Sequence, residues 1–212
     1  MDKKFWDERN RQRLEIREPL VGDWYKLQKF VESLRIEYDN FVAEFGSKRI
    51  GPFVIEGGYG LENCKSIFEW LEQLKEMEKV ENNSVSMCPT KVFVVYDNKD
   101  NEIVGVVGVR FIPESVRCCD VYGNVALTIG VESRRMGIAT FVMEWVFENW
   151  EKWTKEIYKK SPKIGKIWDK IELCCLDWNL ASKYCMESLG YKFEFRFPIG
   201  DNTHLKYSKK LV

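Results

Sequence analysis

Leu127-Thr-Ile-Gly-Val-Glu-Ser-Arg134-Arg-Met-Gly137-Ile-Ala139 carries an apolar run into an Arg-x-x-Gly-x-Ala turn, and the turn opens straight into a helical pattern. Ile138, Phe141, Val142, Trp145, Val146, Trp150 and Trp153 recur at helical spacing, so Gly137 to Trp153 reads as an amphipathic helix with a core-facing stripe. A helix start leaves about four N–H groups unpaired and carries partial positive charge. A glycine there lets a ligand come close to the backbone, and the combination suits a pyrophosphate. Arg134 and Arg135 have a plainer reading as solvated arginines at a helix start, so the turn alone does not decide the chemistry.

Working outward, Val121 to Val131 is the strand that feeds this turn, and Ile171 to Leu176 is the strand that follows the helix. Leu180 to Leu189 fits a short helix closed by Gly190 as a left-handed cap. Lys192 to Phe197 and Thr203 to Ser208 complete the chain as strands. Upstream, Arg13 to Pro19 alternates as a strand, and Gly22-Asp23 starts a helix carrying Trp24, Leu27, Phe30, Val31 and Leu34. A glycine-rich loop runs from Phe45 to Gly60. Cys64, Ile67, Phe68, Leu71 and Leu74 then mark a second helix. Lys91 to Asp97 and Glu102 to Ile112 pair as a hairpin about the turn at Asn98 to Asn101. The predicted order is β-α-α-β-β-β-α-β-α-β-β, with one parallel crossover, from the Val121 strand through the long helix to the Ile171 strand. With no repeat and no linker, residues 1–212 read as a single domain.

Lys plus Arg and Asp plus Glu both number 33, so no general field favours nucleic acid or an anionic membrane. The first residues lack the apolar core of a signal peptide, and the longest clean apolar stretch, Ile103 to Val109, is far too short for a membrane span. The seven cysteines include two adjacent pairs, Cys118-Cys119 and Cys174-Cys175, whose side chains point to opposite faces of a strand. Reduced cysteines and a cytoplasmic location are therefore expected. His204 is the only histidine and no ligand spacing surrounds it, so no metal site is predicted. The lysines between Trp150 and Lys170 read as a solvated helix end and connector, with an anionic partner or a cofactor phosphate as the other reading.

The second decisive element is Asn179-Leu-Ala-Ser-Lys-Tyr-Cys-Met-Glu-Ser-Leu-Gly190-Tyr191. Strand, Arg-x-x-Gly-x-Ala, helix, strand and Asn-x-Ala-Ser-x(6)-Leu-Gly-Tyr, in that order, resemble the GNAT acyltransferases, in particular their RimJ/RimL-like branch. The detailed likeness covers about residues 62 to 193. The resemblance implies an α+β fold with a central mixed sheet of about seven strands and about four flanking helices. In it a splayed parallel strand pair forms the acyl-CoA cleft. It implies acetyl-CoA as cosubstrate, with pantetheine along Leu127, Thr128 and Ile129. The pyrophosphate would meet the N–H groups of Arg135, Met136, Gly137, Ile138, Ala139 and Thr140, Arg134 is counted with them as cofactor-binding, and Asn179 would face the pantetheine or a bridging water. The free amine of a small molecule, protein or peptide would attack the thioester directly, with a backbone N–H holding the oxyanion.

Three departures qualify that expectation. Met186 stands where many such enzymes carry a tyrosine, and Tyr184 should point elsewhere. Asn124 stands where related sequences carry histidine, and the connector after Trp150 is long. Tyr122 and Asn124 are the candidate catalytic residues, Asn124 at most positioning a water. Tyr59 in the glycine-rich loop and Arg110 at a strand end are the candidate acceptor contacts. A non-catalytic acyl-CoA-binding or partner-binding module of the same fold is the alternative.

Overall fold

The computed structural model describes residues 8–45, 64–78, 88–112, 124–160, 166–167, 169–199 and 202–211. Among the described residues, seven strands and four α-helices follow the predicted order, preceded by one short helix that the sequence reading did not include. They are α1 (Glu8–Arg13), β1 (Leu14–Arg17), α2 (Trp24–Phe45), α3 (Ile67–Met77), β2 (Thr90–Asp97), β3 (Glu102–Arg110) and β4 (Val125–Ile129). Then come α4 (Ile138–Lys160), β5 (Lys170–Leu176), α5 (Leu180–Ser188), β6 (Lys192–Ile199) and β7 (Asn202–Lys210).

The helix α4 runs seven residues past the expected Trp153, so much of the predicted connector is helical. The reason is legible in its pattern. Ile157 continues the stripe of Trp150 and Trp153 and is fully buried, while the lysines occupy the opposite side. Two of them find glutamates: Lys155 pairs with Glu151 at 2.6 Å, and Lys160 pairs with Glu78 at the end of α3.

Strands β1 to β4 form one antiparallel sheet in the order β1-β2-β3-β4, and the remainder form a second in the order β5-β7-β6. The first sheet is covered on both faces, and strand alternation sorts its side chains. Phe93 and Val95 of β2 join a core with α4, whereas Val92, Val94 and Tyr96 join a core with α2 and α3. On the α4 side, Phe93 stacks on Trp153 at 4.9 Å and meets Trp145 edge-on at 5.0 Å. On the other side, Trp70 of α3 is fully buried with Leu27, Phe30 and Leu34 of α2. Ile171, Leu173 and Cys175 of β5 and Leu205 and Tyr207 of β7 continue the α4-side core across the second sheet.

The two sheets meet at Asn124, immediately before β4. Its N–H donates to Glu172 O at 2.7 Å, and its side-chain Oδ1 accepts from Glu172 N at 2.8 Å. On its other side its C=O accepts from Arg110 N at 2.6 Å, and Nδ2 donates to Arg110 O at 3.3 Å. Asn124 is fully buried. It thus ties the residue before β4 to the start of β5. Beyond that tie no ladder joins β4 to β5 among the described residues. The sheet expected to be continuous parts here into two, and the parting is the splay that the sequence resemblance implied.

Removing the Asn124 amide leaves the buried Glu172 N–H without an acceptor, a loss of about 1–3 kcal/mol for such a group. Asn124→Ala should lower stability by at least that amount in urea unfolding. Asn124→Leu, which fills the space without restoring the bonds, should not recover it.

Candidate active site

Among the described residues, only β3 pairs with the C-terminal half of β4. Leu127, Thr128 and Ile129 pair with Val107, Val106 and Gly105 of β3, and their other edge faces the gap toward β5. Leu127 and Ile129 turn their side chains into the α4-side core. The backbone edge of β4 is therefore the part that borders the gap.

At the end of β4 the chain makes a short 3-10 turn, Val131–Ser133, and then two left-handed residues, Arg135 at φ 64° and Gly137 at φ 75°. A left-handed non-glycine residue costs energy, and Arg135 adopts that conformation here on the protein surface. Left-handed residues in such a turn are a feature of the backbone nests that hold anions. The first printed bond of α4 is Phe141 N to Gly137 O at 3.1 Å. Among the described residues no acceptor meets the N–H of Arg135, Met136, Gly137, Ile138, Ala139 or Thr140. These donors crown a 23-residue helix whose dipole adds positive potential at that end.

Arg134 does something other than face this turn. Its guanidinium forms a two-pronged pair with Glu37 of α2, with Nη2 at 2.7 Å from Oε2, and its Nε donates to Ile129 O at 3.1 Å. The side chain expected to reach the pyrophosphate instead fastens the turn to β4 and to α2. Met136 and Arg135 are exposed beside the turn.

The helix α5 lies alongside. Thr140 Oγ1 is 3.8 Å from Cys185 Sγ, which sets the first turn of α4 against α5. Asn179 caps α5, its Oδ1 accepting from Ser182 N at 3.1 Å. Gly190 ends that helix at φ 80°, as its cap position predicts. Met186 is buried in the α4-side core, and Tyr184 is 63% exposed, on another side of α5. Burial pushes the Cys175 thiol up to about 11 and raises Cys185 as well, so neither is a ready thiolate near neutral pH.

Tyr59 and Tyr122 lie outside the described residues. Arg110 ends β3, its backbone held by Asn124. Asn124 itself is corrected from a water-positioning residue to a tie between strands, because every polar atom of its amide bonds main chain. Sequence reading passed over two features of the second sheet. Glu172, buried in β5, pairs with Lys170 and, at 2.8 Å, with Lys206 of β7. His204 of β7 stacks on Phe197 of β6 at 5.5 Å. The signal for both was strand alternation in segments read only for their apolar residues.

No protein-family model matches the sequence, and no characterised protein sequence does either. Solved structures do match. The ribosomal-protein-S5-alanine acetyltransferase of Vibrio fischeri aligns over 94% of this chain and 93% of its own, with a TM-score of 0.55 and 17% identity. A GNAT-family acetyltransferase of Bacillus anthracis aligns over 93% and 95%, with a TM-score of 0.54 and 16% identity. The microcin C7 self-immunity acetyltransferase MccE, solved in complex with acetyl-CoA and AMP, aligns over 93% and 92%, with a TM-score of 0.52 and 13% identity. The chain has the fold of the GNAT acetyltransferases. No helix among the described residues is long and apolar enough to cross a membrane.

Gly137→Asp tests the turn directly. Gly137 sits at φ 75°, a left-handed region that Asp enters more readily than most side chains, so the variant should fold at a modest cost in stability, yet its carboxylate would repel an anion from the open N–H groups. It should abolish acetyl-CoA binding in calorimetry. Arg135→Gly, which keeps the left-handed backbone and removes only the charge, should bind within a few-fold of the parent.

Proposed function

We propose that this chain transfers an acetyl group from acetyl-CoA to a primary amine. The observation that carries the reading is the row of open N–H groups from Arg135 to Thr140 at the mouth of the gap between β4 and β5. A pyrophosphate satisfies such donors and the helix dipole together. Leu127 N–H and C=O and Ile129 N–H face the gap and are open to the amides of pantetheine, while Ile129 C=O is taken by Arg134 Nε. Asn179 keeps its side-chain NH₂ for the same ligand while its oxygen caps α5.

In this reading the nitrogen lone pair of the amine attacks the thioester carbonyl, a carbon–nitrogen bond forms, and the carbon–sulfur bond breaks. CoA leaves as thiolate. A thiol pKa of about 8.5 means that this leaving group needs little help from an acid near neutral pH. The amine, with a pKa of about 10.4 when it resembles lysine, arrives mostly protonated and must lose a proton first. The acceptor is a small-molecule, peptide or protein amine. Ribosomal-protein acetyltransferases among the structural neighbours make a protein amine a natural first trial.

A second reading, an acyl-CoA-binding module without turnover, draws on one observation. Met186, at the position where many related enzymes carry a tyrosine, is buried and cannot donate a proton.

Calorimetry with acetyl-CoA, followed by thioester loss with a panel of small amines and N-terminal peptides, separates these readings. Binding with transfer supports the enzyme, binding without transfer supports the module, and no binding overturns both. Tyr184→Phe should leave kcat nearly unchanged. A fall of about 10²–10⁴-fold, the usual worth of a general acid, would make Tyr184 that acid.

A further inference from the structure

The second sheet has one face packed on α4 and α5 and another turned the opposite way. Leu205 and Tyr207 of β7 belong to the packed face. By alternation His204 and Lys206 belong to the other, and the Lys206 pair with Glu172 of β5 confirms the shared side. This is the face that α2 and α3 cover on the neighbouring sheet. His204 sits in register with Leu176, the last residue of β5, and with Phe197 of β6. It therefore stands one strand behind the end of β5 at which the gap to β4 is open.

Three further polar groups near the gap are engaged elsewhere. The Asn124 amide is bonded throughout, Glu172 is enclosed by Lys170 and Lys206, and Tyr184 projects to solvent from α5. His204 differs. Its ring rests on Phe197 at an interplanar angle of 29°, and among the described residues neither ring nitrogen has a hydrogen-bond partner. The Asp177 N–H donates to Thr203 O at 3.0 Å, which holds the start of β7 against the turn after β5 and fixes the position of His204.

We infer that His204 is the proton acceptor for the attacking amine. The inference rests on the proposed acetyl transfer. The ammonium group of the acceptor gives a proton to the imidazole, the freed lone pair attacks the thioester carbonyl, and CoA departs as thiolate. The imidazolium then returns its proton to water.

Burial lowers the imidazole below its ordinary value, and the Asp177 charge opposes that shift to a smaller extent. The ring is thus neutral at physiological pH, as a base must be. The charged and titratable groups on the same face of the sheet include Lys206 of its own strand, Cys174 and Glu172 of β5, and Glu194 of β6, which accepts from Ser208 Oγ at 2.6 Å.

Because His204 is the sole histidine, its imidazole proton resonance in the intact protein is identified without assignment. Adding acetyl-CoA should shift that resonance and its titration midpoint. With phenethylamine, or the panel amine that turns over fastest, His204→Gln should lose about 10²–10⁴-fold in kcat while its Kd for acetyl-CoA stays the same. His204→Phe, which keeps the stack on Phe197, should lose as much. Added imidazole should restore part of the turnover of His204→Ala. In the parent, log kcat/KM should rise through a midpoint below pH 6.5 and then level off. In His204→Gln that limb should vanish and the rate should climb only as the free amine appears.

A resonance indifferent to acetyl-CoA overturns the inference. Full kcat in both His204→Gln and His204→Phe overturns it too, with the transferase reading intact. A parent that binds no acetyl-CoA or transfers nothing overturns the transfer itself.

Discussion

Asn124 holds the molecule together at the point where it must also come apart. One side chain and one peptide unit bond Arg110 on the β3 side and Glu172 on the β5 side, all with water excluded. A continuous ladder would close the gap, and no tie at all would let two sheets drift. A single buried residue with donors and acceptors on both flanks fixes the hinge of the splay and leaves the rest of β4 with an open edge. Buried polar groups that are fully bonded specify geometry in this way, because any alternative leaves them unpaired in a medium where that is costly.

Around that point the cores act as clamps. The α4 helix carries an aromatic stripe that packs on β2 and reaches across both sheets, so the two halves share one apolar face although their backbones separate. On the other face, α2 and α3 close the first sheet. Glu37 of α2 reaches to Arg134, so the wall on that side and the turn that starts α4 are mechanically one piece. The Arg134 charge is thereby neutralised, and the positive character of the turn comes from backbone N–H groups and the helix dipole.

The second sheet keeps its own polar arrangement on the face turned away from α4 and α5. Glu172 and Lys206 are buried at 1% and 5% exposure, an ion pair whose desolvation is offset only by close geometry and by Lys170. It lies directly behind the Asn124 tie, which links the electrostatics of that face to the geometry of the splay. His204 is further along the same strand, toward the open end.

Much of this was legible in the linear sequence. Periodicity located every strand and four of the five helices, and the pairing of the Arg-x-x-Gly-x-Ala turn with the Asn179 segment fixed their order as a GNAT fold. The left-handed Gly190 followed from local backbone chemistry, because helices commonly close on a left-handed glycine at the C-terminal end. Partners across the chain were not legible. Nothing near Arg134 in sequence announces Glu37, and nothing near Asn124 announces Glu172. The connector after Trp150 was read from its lysines, whereas Ile157 decided that it is helix by burying itself against the sheet. Local propensity and period depend on neighbours along the chain, so sequence determines them. The partner of a polar side chain depends on which strands lie side by side, and only the folded sheets decide that Asn124 is a tie and that His204 lies in register with the end of β5.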